Sequence, residues 1–246
     1  MIKISAVSYT NTIPFIFGLQ HHPIKKDIIL SLDVPSLCAQ KLIEDKVDIG
    51  LIPVAAIIDL PEHHIISDYC IGANGQVNSV FIFSNCPIKD VKYLQLDPQS
   101  KSSNNLALVL LKNYWKVQPE LVEKAKEYGR SPHPNTAFVQ IGDRTFGKVD
   151  QHSFVYDLAA EWKNFTGLEF VFAAWVSNKK LDDAFIHKLN QALKLGLDSR
   201  LEIFENMDMR KDFDLVDYLM HKIDYRLTDN KKEALKLFHR LMSELD

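Results

Sequence analysis

Cysteine and glycine are scarce in this chain: three Cys and nine Gly among 246 residues. Cys38, Cys70 and Cys86 are odd in number and form no Cys-x-x-Cys pair. That excludes a disulfide framework and a zinc ribbon, and free buried thiols in a reducing compartment are expected. No run approaches the roughly 18–20 apolar residues that cross a bilayer, so no membrane role is expected. The start, Met1-Ile-Lys-Ile-Ser-Ala-Val-Ser8, lacks the basic and then apolar pattern of a secretory signal, which points to the cytoplasm. No basic excess is present either: 29 Lys and Arg stand against 32 Asp and Glu, for a net charge of −3. A nucleic-acid partner is therefore not expected. Also missing are a Gly-x-Ser-x-Gly elbow, a His-Glu-x-x-His helix, a Walker loop and the Rossmann glycines. The pairs His21-His22 and His63-His64 lie near prolines in expected loops and lack metal-ligand spacing, so no metal site is expected.

What the chain has is 46% hydrophobic residues arranged in alternating short runs, enough for a substantial core. Ile2–Val7, Asp27–Leu32 and Val47–Pro53 read as strands, alternating with helical stretches at Pro14–Leu19, from Ser36, and at Val54–Leu60. Ser36 is the expected N-cap of its helix. A second series has strands at Tyr93–Asp97 and Ala137–Ile141, with helices at about 102–115 and 155–165. Leu121–Tyr128 fits either a helix or a strand. Ser79–Ser84 and Glu169–Val176 are long β-prone runs that suit two crossings between lobes. After Ser177 the pattern is helical: Leu181–Leu197, Arg200–Glu205, Leu215–Lys222 and Asp229–Leu245, with Ser199 and Glu202 placed for a capping box. The expected architecture is α/β with two lobes and largely parallel sheets. One lobe is residues 1–84 with 173–246 and the other 85–172, with a ligand cleft at the strand ends.

Uncharged polar residues gather at the strand-to-helix junctions. They are Ser8 to Asn11, Ser36, Asn78-Ser79 beside the first crossing, and Ser100 to Ser103. Helix starts bind carboxylates through free N–H groups and the helix dipole, without needing Lys or Arg. The competing role for each serine is a helix cap. Asp143 fits a ligand contact or the cap of a following turn, and Arg144 and Lys101 are candidate counter-charges. Tyr156, Trp162, Phe170, Phe172 and Trp175 are expected in the core.

These same junctions carry a resemblance. Val7-Ser-Tyr-Thr-Asn-Thr-Ile-Pro14, Pro35-Ser-Leu-Cys-Ala39, Val47-Asp-Ile-Gly-Leu-Ile-Pro53 and the run from Ser67 to Ser79 resemble the chorismate dehydratases of the futalosine-type menaquinone pathway. Leu96-Asp97, Ile141-Gly-Asp143 and Tyr156-Asp-Leu with Trp162, Thr166-Gly167 and Trp175 extend the likeness to about residue 178. The resemblance implies a type II periplasmic-binding-protein-like fold used as a cytoplasmic lyase. It implies loss of water from chorismate, a small dicarboxylate, to give 3-[(1-carboxyvinyl)oxy]benzoate, with no cofactor. By position it places Asn11 and Ser79 beside the reacting ring, as catalytic residues. Ser8, Ser36, Gly75, Ser102, Ser103 and Asp143 become expected substrate contacts. The chain departs from the pattern at Thr10, at Leu168-Glu169 and at Arg144-Thr-Phe146. A solute receptor, or a relative of the 1,4-dihydroxy-6-naphthoate synthases, would share the fold.

Overall fold

The computed structural model describes residues 1–122 and 134–245. In chain order the first part comprises β1 (Ile2–Val7), α1 (Ile13–His21), β2 (Ile28–Asp33), α2 (Pro35–Ile43), β3 (Ile49–Pro53) and β4 (His64–Ala73). Next come β5 (Val80–Ser84), β6 (Tyr93–Gln95), α3 (Lys101–Leu110), β7 (Glu120–Leu121), β8 (Thr136–Ile141), β9 (Phe154–Asp157) and α4 (Leu158–Thr166). The last part holds β10 (Phe170–Ser177), α5 (Asp183–Asp198), α6 (Arg200–Glu205), α7 (Leu215–Asp217), β11 (Asp224–Arg226) and α8 (Asp229–Ser243).

Two sheets result, in the orders β11-β4-β10-β3-β1-β2 and β7-β6-β8-β5-β9. Both are mixed, where largely parallel sheets were expected. In the first, β1 runs parallel to β2 and β3, while β10 pairs antiparallel with β3 and β4. The second makes β5 antiparallel to both β8 and β9. The chain crosses between sheets twice, after β4 and before β10, so each returning strand enters its sheet against the local direction.

Several elements differ from the sequence expectation. β5 was assigned to the first lobe, yet its pairing is wholly with β8 and β9. Its outward Phe81 and Phe83 pack with Phe138 in a small cluster of their own. β4 was not foreseen, although it lies between Pro61 and Gly75 and is rich in β-prone residues. Helix α4 starts at Leu158 rather than about 155, because Phe154–Asp157 pairs with β5. Of the ambiguous Leu121–Tyr128, Leu121 is in β7, and residues 123–128 lie outside the described residues. β11 interrupts the expected all-helical tail because it edges β4. Ser199 precedes α6 without a side-chain capping bond.

The core of the first sheet centres on Phe15 of α1, whose ring meets Tyr69, Trp175 and Tyr225 edge-on at centroid distances of 5.2–6.3 Å. Such aromatic pairs add to plain area burial. Helices α1 and α5 cross with no side chain between them. A Cβ on Gly18 would lie 2.0 Å from the Ala192 carbonyl oxygen, and one on Gly196 1.7 Å from that of Pro14. Cys38 and Cys70 are buried free thiols and Cys86 is half-buried. Burial pushes the Cys38 thiol up to about 11 and that of Cys70 to about 12, so neither is a thiolate at neutral pH. Among the described residues no helix is long and apolar enough to cross a membrane.

Candidate active site

Between the sheets lies a cavity of about 540 Å³ of empty space, its open mouth included. It sits at the C-terminal ends of β1, β3 and β8, the usual ligand position in α/β sheets. Val7, Pro53, Ile71, Val80, Ile141 and Phe172 make its apolar wall. Its polar groups come from Tyr9, Asn11, Ser79, Ser100, Ser102 and Ser103. Among the described residues that line it there is no Asp, Glu, His, Lys or Arg.

One polar end is built by the turn Thr10–Thr12 after β1 and by the first crossing. The Asn11 side-chain oxygen accepts from the Thr12 hydroxyl at 3.1 Å, and its backbone carbonyl accepts from the Tyr225 hydroxyl at 2.9 Å. Ser79 is buried, and its Oγ accepts the Tyr218 hydroxyl hydrogen at 2.9 Å. Burial pushes the Tyr218 phenol well above its ordinary value, so it stays protonated and able to donate.

Beneath this end the hinge is fixed by one carboxylate. Asp157 caps α4 through the N–H groups of Ala159 and Ala160 and accepts two more from Val77 and Asn78 in the first crossing. Asn78 holds a positive φ of 57°, and these bonds keep that turn. Burial raises the Asp157 carboxyl to about 6, with the four N–H donors working against the rise.

The other polar end is the start of α3. Ser100 caps the helix by accepting from the Ser103 N–H at 3.1 Å. Ser102 donates to the Phe172 carbonyl at 2.9 Å and accepts from the Ala55 N–H at 3.2 Å, tying α3 to the first sheet. Among the described residues nothing bonds the Ser103 hydroxyl. The N–H groups of Lys101 and Ser102 are unused by the helix, as its geometry requires.

The expected contacts therefore separate. Asn11, Ser79, Ser102 and Ser103 are brought to one cavity. Ser8, Ser36, Gly75 and Asp143 are not among the residues lining it. Ser8 is exposed, and its N–H merely extends the β1–β2 pairing to the Asp33 carbonyl. Ser36 is exposed inside the first turn of α2, whose N-cap is Val34, and its neighbour Pro35 takes the cavity wall instead. Gly75, with φ of +104°, serves the turn between β4 and β5.

Asp143 does not line the cavity, and its side chain does not cap the turn that follows. Its carboxylate accepts from the Thr10 hydroxyl at 2.9 Å and from the Thr10 N–H at 3.2 Å, a bond across the cleft. Burial raises its carboxyl above the usual value. Tyr9 also crosses, donating to Gln99 Oε1 at 2.5 Å. Its ring lies so close to Gly142, at φ +64°, that a Cβ there would come within 2.9 Å. Arg144 is held by Asp97 at 2.6 Å and Lys101 by Asp59, so both expected counter-charges serve the fold. Phe172 is buried in the core, as expected, and also lines the cavity. Tyr218 and Tyr225 were not anticipated. Their partners are 139 and 214 positions away, and no local pattern marks them.

Two α/β sheets, two crossings and a cavity between them define a periplasmic-binding-protein-like fold. A crystal structure of a protein from Archaeoglobus fulgidus superposes with a TM-score of 0.70 at 12% identity, covering 99% of this chain and 97% of that one. A Candida albicans protein described as having the generic periplasmic binding protein structural fold gives a TM-score of 0.57 at 13% identity, covering 100% and 94%. The chain itself matches the family described as menaquinone biosynthesis over residues 2–244, and it belongs to that family. A curated relative, chorismate dehydratase of Campylobacter jejuni, is 27% identical over 250 residues, which are 98% of this chain and 97% of the relative.

Proposed function

We propose that this protein is a cytoplasmic chorismate dehydratase, converting chorismate to 3-[(1-carboxyvinyl)oxy]benzoate for menaquinone biosynthesis. The observation that carries the reading is the cavity lining: an apolar slot with neutral donors at two ends and no ionisable side chain beyond the half-buried phenol of Tyr9. Full-length similarity to a relative of that name, within a menaquinone-biosynthesis family, supports the substrate.

Chorismate offers a ring carboxylate, an enolpyruvyl carboxylate and a ring hydroxyl whose loss makes the ring aromatic. In this reading the ring carboxylate sits at the start of α3, on the N–H groups of Lys101 and Ser102 and the Ser103 hydroxyl. Removal of the ring proton beside the ether oxygen leaves a carbanion delocalised onto that carboxylate. Donors fixed there stabilise the developing charge, as an oxyanion hole does. The enolpyruvyl carboxylate of the substrate takes the proton, because no lining side chain is basic enough. Its weakness is offset by an effective concentration that intramolecular geometry makes large. The proton leaves with the ring hydroxyl as water, so the step is redox-neutral and balanced. Asn11 and Ser79 orient the carboxylate and assist the hydroxyl's departure.

The test is to incubate the purified protein with chorismate alone and follow the aromatic enol ether by its absorbance and by chromatography. Product formation that saturates with chorismate is expected. Chorismate bound but recovered unchanged would make the protein a receptor and overturn the reading.

A further inference from the structure

Tyr218 lies outside the cavity wall, yet its hydroxyl touches Ser79, which lines it. Its residue opens a π-helical turn, Tyr218–Lys222, which follows α7 and was expected to be regular helix. Such turns are uncommon and recur at functional positions. The ring is clamped edge-on by Phe146 and Phe213, at 5.3 Å from each. Those two rings stack on each other at 3.8 Å and 13°. Phe146 belongs to the loop after β8 and Phe213 to the segment before α7, so elements from both sides of the cleft hold the phenol.

We propose that Tyr218 is a positioning residue for the reaction, donating its one hydroxyl hydrogen to Ser79 so that Ser79 must aim its own hydrogen into the cavity. The inference rests on the dehydratase reading. A phenol has one proton, and this one is committed to Ser79 Oγ. A serine hydroxyl that accepts along one lone pair directs its hydrogen elsewhere. Among the described residues no acceptor takes that hydrogen, and the open side of Ser79 is the cavity. Donation therefore runs Tyr218 to Ser79 to ligand, and bonds chained in one direction strengthen one another. As the ring hydroxyl leaves, charge grows on the oxygen that Ser79 serves. A pre-aimed donor costs no reorganisation at that moment. Tyr218 keeps its proton throughout.

The experiment compares wild type, Tyr218→Phe, Ser79→Ala and the double variant in steady-state dehydration of chorismate. Tyr218→Phe keeps the ring in its aromatic clamp. It is expected to lower kcat by about tenfold, the effect of one hydrogen bond, with KM within about twofold. Ser79→Ala is expected to lose more, and the double variant no more than Ser79→Ala alone, since Tyr218 acts only through Ser79. Phe213→Leu, which loosens the clamp from a half-buried position, should lower kcat a fewfold in wild type and not in Ser79→Ala. It gives the same answer should Tyr218→Phe fold poorly. Full kcat in Tyr218→Phe, or a further tenfold loss when it is added to Ser79→Ala, overturns the inference. A wild-type protein that forms no product overturns the dehydratase reading itself, and that arm is read separately.

Discussion

The two polar ends of the cavity are built from the same small side chains and solve different problems. At the α3 end, Ser100 and Ser102 are spent on the protein, one capping the helix and one joining it to Phe172 and Ala55. Among the described residues the Ser103 hydroxyl has no bond, and the first N–H groups of the helix are unused by it. At the hinge end, Ser79 is also bonded, but as an acceptor, so its donor remains for a ligand. The lesson is that a buried serine's function follows from which of its hydrogen-bonding roles the fold has already used, and not from its place beside a strand end.

Breaking the hinge end should cost most. Ser79→Ala is expected to lower kcat by about 10²–10³-fold, the range for removing one preorganised donor, and to destabilise by about 1–3 kcal/mol because the buried Tyr218 hydroxyl loses its acceptor. Steady-state kinetics beside a thermal melt measure both, and a variant as active as wild type would erase the distinction between the ends. The hinge carboxylate comes next. Burial holds the Asp157 carboxyl at about 6 in the folded state against an ordinary 3.8, so the native state binds the extra proton between them. The stability gained by that proton is complete below the unfolded value and is lost as pH rises through the folded one. Relative to Asp157→Asn, wild type should therefore lose about 3 kcal/mol between roughly pH 4 and pH 7. Urea melts of the two proteins at those pH values read the slope, and parallel curves would contradict it.

The α3 end should respond in stability and binding. Ser102→Ala leaves the Ala55 N–H and the Phe172 carbonyl buried without their partner, and should destabilise by about 1–3 kcal/mol in denaturant melts. Ser103→Ala, with no structural bond to lose, is expected to raise KM and lower kcat, cutting kcat/KM by about tenfold or more, and leave stability within about 0.5 kcal/mol. A Ser103 variant with full kcat would remove its hydroxyl from the donors that meet the developing charge. The smallest change should be Ser100→Ala, which removes a helix cap and costs about 1 kcal/mol in the same melts.

How far the site could be read along the chain depends on the range of its contacts. The strand-to-helix junctions after β1 and before α3 were visible because alternation and polar clusters are local. Hence Asn11, Ser79, Ser102 and Ser103 were named together, and the structure lines one cavity with them. Ser36 and Ser8 belong to the same kind of junction and looked no different. Whether the side chain faces the cleft turns on a single residue of helical phase, and Pro35 took the wall that Ser36 was expected to occupy. Asp143 was visible as a polar residue after β8, but its partner Thr10 is 133 positions away.

What the sequence determined by itself was the α/β class, the absence of a metal or phosphate-cradle motif, and the serine-rich helix starts. These follow from local periodicity and side-chain chemistry. Scarce glycine also proved informative: Gly18 and Gly196 let two helices touch, and Gly142 admits the Tyr9 ring. Tertiary structure alone decided the antiparallel return strands, the three-residue β11, and which serines are free. It alone brought Tyr218 to Ser79. Many of those outcomes depend on contacts between residues from about fifty to more than a hundred positions apart, where a donor meets its acceptor only after both sheets have formed.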